Sequence, residues 1–192
     1  MTSRRLLPVL LALAAALLVG CGSDDGGEER PVPSQNRGSD ERPVPEGDRV
    51  GTDDFTFALP AGWVETSSQV PEAELAFSAT EPSGDIANNI NVMKSRGSGL
   101  DAEEATEAAV AELEASSSFE DVEALDPYDV DGTEAGSITS IATVQGKTYA
   151  ARQYFLERGG NRYGITFSFG LETSEADMAK VAEQVLDSWT WE

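Results

Sequence analysis

Between Gly136 and Phe169 apolar and polar residues alternate with a period of two, and this run limits the fold more than any other stretch. A strand turns successive side chains to opposite faces, so the alternation reads as half-buried β-structure. Ile138, Ala142 and Val144 share one face, and Gln145-Gly146-Lys147 is hairpin-like. Lys147–Arg158 follows as a long strand with Tyr149, Ala151 and Phe155, and Gly159-Gly160-Asn161 turns it back into Tyr163, Ile165, Phe167 and Phe169. Glycines supply the positive φ that tight hairpins require. The reading is an antiparallel meander.

The same period recurs upstream. Phe55, Phe57 and Leu59 share a strand face before a turn at Pro60-Ala61-Gly62-Trp63. Leu75, Phe77 and Ala79 form a second strand that Pro82-Ser83-Gly84-Asp85 breaks, and residues 86–94 a third, with Ile90 and Val92 together. Phe119–Val130 is predicted to be extended, ending in a turn at Asp131-Gly132. Two helices interrupt the strands. Asp101 caps the first, with Glu104 three residues on as a capping-box acid, and Ala102, Ala105, Ala109, Val110 and Leu113 form its apolar stripe. Ser116-Ser117-Ser118 ends it. The second is predicted over about 174–189, capped by Ser174, with Met178, Val181, Ala182, Val185 and Trp189 on one face and Trp191 anchoring the chain end. The expected class is α+β: one domain over residues 51–192, an antiparallel β-sheet meander flanked by helices.

The first 50 residues read differently. Arg4 and Arg5 precede an apolar run at 6–19 of 14 residues. That is shorter than the roughly 20 residues needed to span a bilayer core, so it reads as a signal segment. Its end, Leu18-Val19-Gly20-Cys21, resembles the bacterial lipobox and holds the single cysteine of the chain. The resemblance implies cleavage before Cys21, making residues 1–20 a leader, and a diacylglyceryl group on the Cys21 thiol. Two acyl chains anchor a protein stably where one does so marginally. Residues 21–50 form a tether of Pro, Gly and charged residues with little to bury. Within it Glu29-Arg30-Pro31-Val32-Pro33 recurs as Glu41-Arg42-Pro43-Val44-Pro45. Such a segment reaches roughly 30 Å as a coil and about 90 Å fully extended; it reads as a spacer.

Thirteen basic and 35 acidic residues give the chain a net charge of −22, and residues 51–192 alone hold 7 basic and 27 acidic residues. Such a surface repels nucleic acid and anionic lipid as direct partners. It suits cationic partners, divalent ions or plain solubility, and solubility is the preferred reading. Histidine is absent, which excludes a histidine-based triad or zinc site.

No catalytic constellation is apparent. The acidic run Asp126-Pro127-Tyr128-Asp129-Val130-Asp131-Gly132-Thr133-Glu134 lacks EF-hand ligands where Pro127 and Ile138 stand, so it reads as a turn and no metal site is assigned. Gly97-Ser98-Gly99 reads as a loop rather than a phosphate cradle. A Ser-Lys pair would have to draw on Lys94, Lys147 or Lys180 without a supporting motif. No cofactor is expected. Trp63, Tyr149, Tyr154 and Tyr163 are candidates for a ligand groove, with a core role preferred because most lie on inward strand faces.

Taken together, several stretches resemble a known family. They are Phe55-x-Phe57-x-Leu59-Pro60-x-Gly62-Trp63, the helix capped by Asp101, Asp131-Gly132-Thr133-Glu134-Ala135, Tyr163-Gly164-Ile165-Thr166-Phe167-Ser168 and the closing Ser188-Trp189. Over residues 51–192 this order resembles the PsbP-like superfamily, and within it the LpqN/LpqT-type lipoproteins of actinobacteria. The resemblance implies an antiparallel sheet flanked by helices and a non-enzymatic accessory role, with no catalytic residues to carry over. The expectation is a monomeric, non-enzymatic domain on the extracytoplasmic face of the cell membrane. It is held there through a lipid on Cys21 and meets an envelope protein; a small-ligand or lipid carrier is the alternative.

Overall fold

Three two-residue turns organise the second half of the chain, each with positive φ at both positions: Asp131 and Gly132 (49° and 76°), Gln145 and Gly146 (50° and 79°), Gly159 and Gly160 (61° and 78°). Turns of this kind match the right-handed twist of the strands they join. The computed structural model describes residues 47–192. In chain order the elements are β1 (Arg49–Gly51), β2 (Phe55–Ala58), β3 (Trp63–Glu65), β4 (Leu75–Ser83), β5 (Ile86–Arg96) and α1 (Ala102–Glu114). There follow β6 (Phe119–Val130), β7 (Thr133–Val144), β8 (Lys147–Arg158), β9 (Asn161–Phe169), α2 (Glu175–Asp187) and β10 (Thr190–Trp191).

The strands form two antiparallel sheets, one of seven in the order β3-β4-β5-β9-β8-β7-β6 and one of three in the order β1-β2-β10. The predicted meander is β7 to β9, and the extended segment before it joins as β6, antiparallel to β7. Against it β5 lies beside β9, with Ile90 opposite Phe167 and Val92 opposite Ile165.

The aromatic alternation of β9 decides where the core sits. Tyr163, Ile165, Phe167 and Phe169 are all buried, together with Phe55 and Phe57 of the small sheet, Phe77, and Ala182 and Val185 of α2. Trp189 lies between the layers, stacked on Phe55 at 4.3 Å and on Phe57 at 5.1 Å between ring centres. The small sheet and α2 thus cover one face of the large sheet.

On the other face α1 packs over β6, β7 and β8, with Ala105, Ala109 and Leu113 against Ile138 and Phe155. The full capping box predicted at Asp101 and Glu104 opens this helix. Its alanines let it approach closely, and Gly136 completes the fit. A Cβ there would lie 2.3 Å from the Ala102 carbonyl oxygen.

The structure departs from the sequence reading at four places. Arg49 and Val50, assigned to the tether on composition, begin β1. The Phe55 strand lies in the small sheet rather than the main one, because β10 returns to pair Trp191 with Phe55. The second helix stops at Asp187: the Ser188 hydroxyl donates to the Val185 carbonyl (2.7 Å) and accepts the Ala58 N–H (2.8 Å). Trp189 therefore leaves the helix and turns inward between the sheets. Finally, β4 runs through Pro82, which faces Ala87 after a register shift beyond Ser78. A bulge near a strand end accommodates a residue with no N–H to donate.

Candidate functional site

The lipobox-like stretch Leu18, Val19, Gly20 and Cys21 lies outside the described residues, as does the proline repeat. Among the described residues no helix is long and apolar enough to cross a membrane.

The four groove candidates do not line one wall. Tyr154 and Tyr163 are buried in the central core, and Trp63 packs half-buried against that same core at the sheet edge. Tyr149 belongs to a separate cluster with Ala142 and Ala151, on the face that carries α1. The Tyr154 hydroxyl accepts a hydrogen bond from Arg152 Nε at 2.7 Å. Burial pushes the Tyr149 and Tyr154 phenols above their ordinary pKa, so both stay protonated. Their roles are in packing.

The acidic turn also serves the chain itself. Asp129 Oδ1 accepts the Gly132 N–H at 3.1 Å, and Asp131 Oδ2 accepts the Trp191 N–H at 3.0 Å. Among the described residues no group of three or more His, Cys, Asp or Glu is placed to hold a metal ion. Lys94 is hydrogen-bonded to Asp54, and this bond raises its pKa against the opposing effect of desolvation. An ammonium held in its charged form is a poor general base for a serine.

Two arrangements went unread in the sequence. In the first, the Gly97-Ser98-Gly99 loop wraps the Glu157 carboxylate. Oε1 accepts from the Ser98 N–H (2.5 Å) and hydroxyl (2.6 Å), and Oε2 accepts from the Gly99 N–H (2.9 Å). Burial works to raise the Glu157 pKa, but these hydrogen bonds and the Arg162 charge outweigh it and hold the carboxyl below its ordinary value. The Arg162 guanidinium lies 5.4 Å over the Phe155 ring, where desolvation lowers its pKa against the pull of Glu157 and Glu112. The glycine-rich loop is therefore an anion cradle, and the chain supplies the anion.

The second is on the large sheet beside α1. Residues paired across neighbouring strands project to the same face. One row runs Ala76, Asn91, Thr166, Gln153 and Ile138, and the next Ser78, Asn89, Ser168, Ala151 and Ser140. Ile138 packs under α1; Asn89, Asn91 and Thr166 remain partly exposed. Gln153 Nε2 donates to Thr166 Oγ1 at 3.2 Å. Gln153 Oε1 and Ser140 Oγ are buried with no hydrogen-bond partner, and an orphaned buried oxygen costs about 1–3 kcal/mol. A sequence signal existed in the alternation of Thr166 and Ser168 with aromatic residues, but it reads simply as a solvent face.

No protein-family model matches this chain, and no curated protein matches it. Solved structures do share its fold. Cyanobacterial PsbP (CyanoP) from Synechocystis sp. PCC 6803 aligns with a TM-score of 0.53 at 16% identity, over 76% of this chain and 92% of the other. LpqN of Mycobacterium tuberculosis, described as involved in cell envelope biogenesis, aligns with a TM-score of 0.51 at 16% identity over 77% of this chain and 86% of LpqN. A protein from Bacteroides thetaiotaomicron aligns with a TM-score of 0.50 at 16% identity over 77% of this chain. The chain spans about half of that longer protein, 49%. The fold is thus PsbP-like α+β, two helices and two antiparallel sheets in one domain.

Proposed function

We propose that this protein is a lipoprotein of the cell envelope, of the LpqN/LpqT type, whose acidic domain is a non-enzymatic protein-interaction or accessory module. The observation that supports this reading best is the lipobox ending at Cys21, joined through a repeated spacer to a domain with the fold of LpqN. In this reading the lipid on Cys21 holds the protein at the extracytoplasmic face, and the spacer sets how far the domain stands from the membrane. The domain then presents a surface of strong negative charge to envelope proteins. Charge complementarity favours fast encounter with basic partners more than it adds affinity. Substituting Cys21→Ala and fractionating cells tests the anchor: the variant is expected to leave the membrane fraction or to accumulate unprocessed. Unchanged fractionation of the variant would overturn the anchor. Crosslinking in intact envelopes tests the partner, with a reproducible envelope protein joined to the wild-type chain as the expected result.

A further inference from the structure

We propose that the amide- and hydroxyl-lined part of the large sheet beside α1 is a binding site for a neutral saccharide. The inference goes beyond the anchored-module reading and depends on neither the lipid nor a protein partner. Its basis is the pair of adjacent rows in which Asn91, Thr166 and Gln153 lie next to Asn89, Ser168 and Ser140. Every one of these side chains is uncharged and able to hydrogen-bond, on a domain that is otherwise densely acidic.

Two features distinguish this patch from an ordinary solvated sheet face. Gln153 and Ser140 are each only 2% exposed, yet Gln153 Oε1 and Ser140 Oγ have no partner. The bond from Gln153 Nε2 to Thr166 also ties the amide, through its nitrogen, to the partly exposed half of the face. A buried carbonyl oxygen needs a donor, and a hydroxyl can supply one. The rows therefore offer both acceptors and donors, with the Tyr149 and Ala151 cluster adjoining them. A neutral, hydroxyl-rich ligand matches that chemistry. An anionic glycan or lipid headgroup would meet the repulsion of the surrounding carboxylates.

Titration of the isotope-labelled full chain tests the site, reading the side-chain amide NMR signals of Asn89, Asn91 and Gln153. The probes are maltoheptaose, xylohexaose and an arabinan oligosaccharide, with a heparin octasaccharide as the charged control. Saturable shifts of these amides with at least one neutral glycan, and none with heparin, are expected. Asn91→Ala should weaken that binding about tenfold without altering the melting temperature, since Asn91 is partly exposed. Absence of saturable shifts up to millimolar glycan, as when ordered water alone fills the site, would overturn the proposal. So would shifts confined to other residues, or equal affinity in Asn91→Ala. A Gln153→Leu variant guards against a fold artefact: it should keep the fold and lose affinity, and unchanged affinity there also overturns the assignment.

Discussion

At Gly136 a Cβ would stand 2.2 Å from Thr106 Oγ1 and 2.3 Å from the Ala102 carbonyl oxygen. The carbonyl belongs to the helix backbone and cannot swing aside, so Gly136→Ala must push α1 off β7. The expected loss is about 1–3 kcal/mol, measured as a lower urea midpoint at unchanged slope. Nothing in the sequence singles out Gly136, because the helix it touches lies thirty residues earlier in the chain. Glu157 makes a second case. Its folded pKa lies below the ordinary value, so its stabilisation is complete above the unfolded pKa of about 4.3 and is lost as pH falls through the folded value. Glu157→Gln should therefore be less stable than the native chain at neutral pH by about 1 kcal/mol. The gap should close as pH drops below about 4. Denaturant melts across that range check both, and a gap independent of pH would show that the charge contributes nothing.

Among the elements, β10 is the least legible and one of the most consequential. A strand of two residues has no measurable period, although the tryptophans themselves signalled an anchor. Trp191 is 8% exposed, donates its Nε1–H to the Val130 carbonyl at 3.1 Å, and lies beneath the Arg158 guanidinium at 5.2 Å. Trp191→Ala should cost about 3–5 kcal/mol, read as a large fall in thermal midpoint; a change below about 1 kcal/mol would mean that the small sheet stands without it. The outer strand β6 illustrates the opposite problem. Its register shifts twice against β7, Asp121 sits at φ 51°, and it carries Pro127 with Glu120, Glu123 and Asp126. Bulges, proline and charge all discourage another chain from pairing to a sheet edge. The sequence announced an extended segment here, whereas its position at the edge emerged only from the strand order.

For the molecule as a whole, the leading electrostatic feature is a net charge of −22. The elements α1, β6 and β7 contain no Lys or Arg, and they pack together. Like charges on adjoining surfaces destabilise a compact state, and salt screens them over a distance that falls from about 30 Å at 0.01 M to about 3 Å at 1 M. The thermal midpoint should accordingly rise as sodium chloride is added in this range. Scanning calorimetry checks it, and a flat or falling midpoint would show that the carboxylates are already accommodated.

The residues alone determined the strands of the meander, its three turns and the capped start of α1, because each depends on sterics and periodicity within a few neighbours. Strong local signals also marked Trp189 and Trp191 as anchors. Only the tertiary structure decided that residues 49–58 pair with the chain end, that Ser98 encloses Glu157, and that Tyr149 faces away from Tyr154 and Tyr163. These outcomes join groups far apart in sequence. They follow from which surfaces remain after the aromatic core is buried, and that competition has no local signature. The same competition left the amide rows beside α1 partly open to solvent.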